Sequence, residues 1–112
     1  MDADKYQQLS KRTLIDKPTE PLTDKEHMII WNAIGIAGEA GEINDLVKKG
    51  IFHQHGLDVA EVAEEIGDLM WYVAALCTKL ELNLSNILKY NVAKLEKRYP
   101  DGFSSEDSRN RK

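Results

Sequence analysis

The amino-acid sequence predicts an all-α protein, on three observations. Apolar residues recur at intervals of three and four through the middle of the chain. No stretch alternates apolar and polar in the period-two manner of a half-buried strand. Cap and stop signals cut the chain into pieces of helix length.

Residues from about Met1 to Lys11 read as a short polar helix carrying Tyr6 and Leu9, followed by a linker with Pro18 and Pro21. Thr23-Asp24-Lys25-Glu26 is a capping box: threonine and glutamate three apart each satisfy a free backbone N–H. It opens a long helix that is expected to run to about Lys49, with Gly50 as its stop. Residues 50–57 read as a loop. Asp58 with Glu61 repeats the cap-then-acid pattern and opens a third helix ending near Lys79. A fourth begins around Asn83 to Ser85 and ends at Tyr99-Pro100, because the proline ring disfavours helix in the residue before it. Residues 104–112 are polar and are expected to be a disordered tail, which leaves 1–103 as a single domain.

Composition narrows the function classes. A chain of 112 residues, 42% hydrophobic and 30% charged, is a soluble globular domain with room for one modest core. No apolar run reaches membrane-span length and no basic-then-apolar signal opens the chain, so the cytoplasm is the expected setting and no membrane partner is implied. The single cysteine, Cys77, lies in an apolar stretch and can build neither a disulfide framework nor a thiolate metal site. A net charge of −4 argues against a duplex nucleic acid partner.

Four acids carry the chemistry. Glu39 and Glu42 stand three residues apart, and after a gap of 22 residues so do Glu65 and Asp68. On helices, each pair shares one face. In projection Glu39 falls inside the apolar arc of Ile29, Ala33, Ile36, Ala40, Ile43 and Val47, and Glu42 sits at its edge. Glu65 and Asp68 flank the stripe of Val62, Ile66, Leu69, Val73, Leu76 and Leu80. Acids that merely solubilise a helix lie opposite its core, as Asp45 and Lys48 nearly do. Two such helices side by side aim four carboxylates at one point, where mutual repulsion asks for a hard divalent cation bound through oxygen, magnesium first.

Other residues fit a phosphate-handling site. Gly35, Gly38, Gly41 and Gly67 interrupt the two acidic helices at about 1 kcal/mol each against alanine, which points to close helix approach, room for a ligand, or both. Asn91, Lys94 and Arg98 recur along one stripe of the fourth helix, where lysine and arginine suit phosphate oxygens. Trp31 shares a face with Gly35, Gly38 and Glu42 and could stack a nucleobase or fill a core. His27, His53 and His55 read as exposed.

These motifs resemble those of the MazG-type, all-α nucleoside triphosphate pyrophosphohydrolases. The resemblance rests on Glu39-x-x-Glu42 and Glu65-x-x-Asp68 within Gly-Glu-Ala-Gly-Glu (38–42) and Glu-Glu-Ile-Gly-Asp-Leu (64–69). It extends through Asn91-x-x-Lys94-Leu95-x-x-Arg98-Tyr99-Pro100 and Gly102-Phe103, covering about residues 27–103. It implies a four-helix bundle, here with a short extra N-terminal helix, that assembles as a homodimer or homotetramer. It also implies hydrolysis of a nucleoside triphosphate to the monophosphate and pyrophosphate, with Mg²⁺, or Mn²⁺ in its place, held by Glu39, Glu42, Glu65 and Asp68. In that setting Glu39 is the candidate catalytic acid that orders the attacking water. Trp31, Tyr72, Asn91, Lys94 and Arg98 are the candidate substrate-binding residues, with Tyr72 toward the sugar. Glu61 and Glu64 read first as surface acids and second as helpers to the metal site, and Met70 and Trp71 as packing residues.

Two rivals fit less well. A di-iron carboxylate bundle draws ligands from paired Glu-x-x-His motifs, which are absent. A non-catalytic, metal-stabilised helical interaction module explains the acids but not the basic stripe or the helix glycines. Finally, the third helix is apolar over more than a third of its circumference, with Val59, Ala63, Met70 and Cys77 widening the stripe, so a second copy is expected against it.

Overall fold

A computed structural model describes residues 1–110 of the chain. The described residues are helical, with no strand among them. They form α1 (Ala3–Ser10), a 3₁₀ turn (Lys11–Thr13), α2 (Asp24–Ile51), α3 (Val59–Lys79), α4 (Leu84–Arg98) and α5 (Ser105–Arg109). None is long and apolar enough to cross a membrane.

The caps explain the starts. The Thr23 hydroxyl accepts from the Glu26 N–H and the Glu26 carboxylate accepts from the Thr23 N–H, both at 3.0 Å, so the capping box forms as expected. Asp58 accepts from Glu61 N–H at 3.1 Å and Asn83 from Asn86 N–H at 2.9 Å. The ends are less legible. Helix α2 does not stop at Gly50 but continues to Ile51. Gly50 serves a different need: a Cβ there would lie 2.9 Å from Leu57 Cα and 3.2 Å from the Gly56 carbonyl oxygen. The loop backbone closes directly onto the last turn of α2. Helix α3 ends in a Schellman motif, with Leu82 N–H donating to the Cys77 carbonyl at 2.8 Å and Glu81 N–H to that of Thr78 at 3.2 Å. The left-handed position of that motif, usually glycine, is held by Glu81 at φ 59°.

Among the described residues, helices α2 and α3 are the one extensively packed pair. They run antiparallel, as the seven residues between them, 52–58, require. Asp24, Lys25 and Met28 lie beside Thr78, Lys79 and Glu81; Gly35 meets Tyr72; Glu42 meets Glu65; Gly50 meets Leu57. Helices α1 and α4 make little contact with this hairpin. The radius of gyration is 20.2 Å, against about 13 Å for a compact domain of this length. Burial agrees: Cys77 and Asn32 alone are buried among the described residues, and the Asn32 amide donates to the Met28 carbonyl at 2.8 Å.

Two expectations change here. Trp71 does not pack within the chain, where it is 79% exposed, whereas Met70 is covered over more than half of its surface, at 40% exposure. The expected disordered tail carries α5, whose first turn is closed by the Ser104 hydroxyl accepting from Asp107 N–H at 3.0 Å. Arg111 and Lys112, the rest of that stretch, lie outside the described residues.

Candidate active site

The antiparallel register of α2 and α3 brings the first three acids together. Glu39, Glu42 and Glu65 each offer a carboxylate oxygen, and those oxygens lie within 4.8 Å of one another. Glu39 and Glu65 are half-buried and Glu42 is exposed. Asp68, the fourth predicted acid, is exposed and stands outside that trio, though near enough for its charge to act on Glu42 and Glu65.

The electrostatics are those of acids held too close. The Glu42 carboxyl is raised above its ordinary range, first by its hydrogen bond with Glu65, then by the charge of Glu65, by burial and by Asp68. Glu65 is raised as well, first by the Glu39 carboxylate within hydrogen-bonding reach; the contact with Glu42 pulls the other way, while burial and the charges of Glu39 and Asp68 add to the rise. No lysine or arginine relieves the trio: the one ion pair among the described residues joins Lys49 to Asp45, 2.8 Å apart and further along α2.

The donor set fits a hard divalent cation. Glu39 Oε2 and Glu65 Oε2 are both buried with no hydrogen-bond partner. Leaving a buried charged oxygen unpaired is costly, and a cation between the helices would satisfy both. Beside the trio lies a cavity of about 410 Å³ lined by Gly38, Gly41, Glu42, Asp45, Leu46, Glu61 and Glu65. Nothing stands within 4 Å of a Cβ built at Gly38 or Gly41, so these glycines face open space rather than a packed helix. The same holds for Gly67.

One of the lining acids departs from the sequence reading: Asp45 reads from sequence as solvated, yet it is half-buried and lines the cavity, while Glu61 lines it as an exposed surface acid. A signal for Asp45 does exist in the chain: it follows Glu42 by three residues, as Glu42 follows Glu39, and so continues the same face.

A second cavity, of about 320 Å³, is lined by Trp31, Ile34, Gly35 and Tyr72. It brings together the two predicted aromatic residues, one from each helix. The predicted residues of α4 are not brought to the acids within the chain. Asn91 and Lys94 are exposed on a helix that barely touches the hairpin. Arg98 is half-buried, lines a 270 Å³ cavity with Lys97, Pro100, Asp107 and Asn110, and keeps a buried Nε without a partner. His53 and His55 stack edge to face with ring centres 5.9 Å apart, exposed in the 52–58 loop.

Residues 32–103 match the family described as the MazG nucleotide pyrophosphohydrolase domain, a span that holds the four acids, Tyr72 and all of α4. The Gene 37 protein of Mycobacterium phage L5 is 34% identical over 117 residues, taking in 99% of this chain and the whole of that protein. No solved structure matches the chain.

Proposed function

The chain belongs to the MazG nucleotide pyrophosphohydrolase family, and from that footing we propose that it hydrolyses a nucleoside or deoxynucleoside triphosphate to the monophosphate and pyrophosphate. The observation that carries this reading is the trio of carboxylate oxygens within 4.8 Å across two helices, two of its members with a buried oxygen that no protein donor reaches.

Glu39, Glu42, Glu65 and Asp68 are the residues to hold Mg²⁺, or Mn²⁺ in its place. The bound cation supplies neutralisation of the triphosphate and of the charge that develops as the bond breaks. Glu39, drawn into the apolar seam, orients the attacking water and takes its proton. The water oxygen bonds to the α-phosphorus, the bond from that phosphorus to the bridging oxygen breaks, and pyrophosphate departs. Trp31 offers a face for the base, and Tyr72, across the same cavity, borders both base and sugar. The open space at Gly38 and Gly41 leaves room for the phosphates beside the acids.

The unit that does this is at least a dimer, a homodimer or homotetramer that closes a four-helix bundle from two hairpins. Ile34 is 66% and Val92 55% exposed in the single chain, with Ile66, Trp71 and Leu88 also uncovered. Each aliphatic side chain covered by a second copy contributes about 1.5–3 kcal/mol. In such an assembly α4 comes to rest on a hairpin, and Asn91, Lys94 and Arg98 approach the phosphates. Nucleotide-pool sanitation in the cytoplasm is the role that suits this chemistry.

The test is a panel of ribo- and deoxynucleoside triphosphates incubated with the protein and Mg²⁺, read as pyrophosphate release. Metal-dependent release from at least one nucleotide supports the reading. No release from any, by folded protein, rejects it in favour of a metal-stabilised interaction module.

A further inference from the structure

We propose that Gly35 is a positioning residue, which by lacking a side chain seats the Tyr72 ring against the α2 backbone and thereby fixes the wall of a nucleobase cavity opposite Trp31. The identity of the occupant rests on the function proposed above; the seating of the ring does not.

The geometry singles out this glycine. A Cβ built at Gly35 would lie 2.7 Å from Tyr72 Cγ and nearer still to Cδ1 and Cε1. Cγ is the root of the ring and cannot swing clear as a flexible tip can. An added methyl therefore turns the whole ring or parts the two helices. Gly38, Gly41 and Gly67 have nothing within 4 Å of an added Cβ, so among the glycines of the acidic motifs and their flanks only Gly35 lies under a neighbour. Glycine inside a helix costs about 1 kcal/mol against alanine, and at Gly35 close ring contact is what offsets it.

The cavity beside this contact suits a base. Its volume of about 320 Å³ falls at the small end of the roughly 300–1,000 Å³ usual for ligand sites, enough for a flat ring system. Trp31, Ile34 and Tyr72 give it aromatic and aliphatic walls, which match the face of a base and not a phosphate. Its position is also fixed by helix geometry. Gly35 precedes Glu39 by four residues, about 6 Å along the axis, and Tyr72 follows Asp68 by four. Tyr72 of α3 thus stands one turn beyond its acid and Trp31 of α2, eight residues before Glu39, about two turns beyond its own, so the aromatic walls lie to one side of the acids as a base lies to one side of its phosphates. Trp31, at 65% exposure, leaves the cavity open on one side for entry.

The experiment is a cycle of Gly35→Ala, Tyr72→Ala and the double variant, read by melting temperature, by KM and kcat with the preferred nucleotide and Mg²⁺, and by light scattering. Gly35→Ala is expected to raise KM about tenfold, more than it lowers kcat, since the base wall moves while the acids stay in place. In the Tyr72→Ala background the same substitution is expected to add no further KM change and to leave the melting temperature level or higher, because the ring it strikes is gone. If Gly35→Ala alone does not fold, recovery of folding in the double variant establishes the contact equally well. Equal losses from Gly35→Ala with and without the ring overturn the proposal. So does a Gly35→Ala enzyme that shifts toward monomer in light scattering with KM unaltered, since the cavity then belongs to a second copy. A wild type that releases no pyrophosphate overturns the functional reading, while the melting-temperature cycle still decides whether Gly35 and Tyr72 are coupled.

Discussion

Glu39 of α2 and Glu65 of α3 meet across the helix seam, and each keeps a buried Oε2 with no hydrogen-bond partner. Neighbouring acids satisfy neither oxygen without a shared proton. Replacing either residue, or Glu42, with alanine is expected to cut Mg²⁺-dependent turnover by about 100-fold or more, the scale on which loss of one electrostatic contact lowers kcat. Because the same change relieves repulsion, the metal-free variants should melt no lower than wild type. Single variants that kept full Mg²⁺-dependent activity would exclude the trio as the metal centre.

The reaction products discriminate between two ways of breaking a triphosphate. The chain contains no glycine-rich phosphate loop ending in Lys-Ser or Lys-Thr. Chromatography of the reaction mixture is expected to resolve monophosphate and pyrophosphate in equal amounts. A diphosphate with orthophosphate would point to attack at the terminal phosphorus and would reject the scheme.

Assembly follows from the missing core. With Cys77 and Asn32 the only buried residues described, a lone chain has too little buried apolar surface to offset its ordering entropy. Light scattering at micromolar concentration is expected to give a dimer or larger. A folded, fully active species of 12.7 kDa would refute this.

The turn after α3 offers a stabilising change. Glu81 sits at φ 59°, where a Cβ is strained and glycine is not. Glu81→Gly is expected to stabilise the protein by about 0.5–1 kcal/mol despite the added freedom of the unfolded chain. A lowered melting temperature would show that the Glu81 side chain contributes more than its backbone strain costs.

The helices and the acidic trio were legible from sequence because both depend on local periodicity. Thr23, Asp58 and Asn83 announce their helices by chemistry within four residues, and spacing alone places Glu39 and Glu42 on one face. What the sequence hid was contact between distant segments. Gly35 and Gly38 look alike in the chain, yet one lies under the Tyr72 ring and the other in open space. The Asn91, Lys94 and Arg98 stripe was readable as a stripe. Its distance from the acids was not, because it depends on the turn between α3 and α4, where Glu81 takes a left-handed backbone without being glycine. The breadth of the α3 apolar surface was visible too, but only coordinates show that α2 covers so little of it.

The contact of Gly50 with the Leu57 backbone makes the hairpin a gauge. It pins the end of α2 to the run-in of α3, so the acids are matched by counting residues from a fixed hinge: eight back from Gly50 to Glu42, eight forward from Leu57 to Glu65. One residue inserted within α2 between Glu42 and Gly50 would turn the upstream acids by about 100° and slide them about 1.5 Å, out of register with Glu65. One inserted between His53 and His55 could bulge into solvent and leave the count intact. Tolerance of length change in this protein should therefore switch sharply at a single glycine.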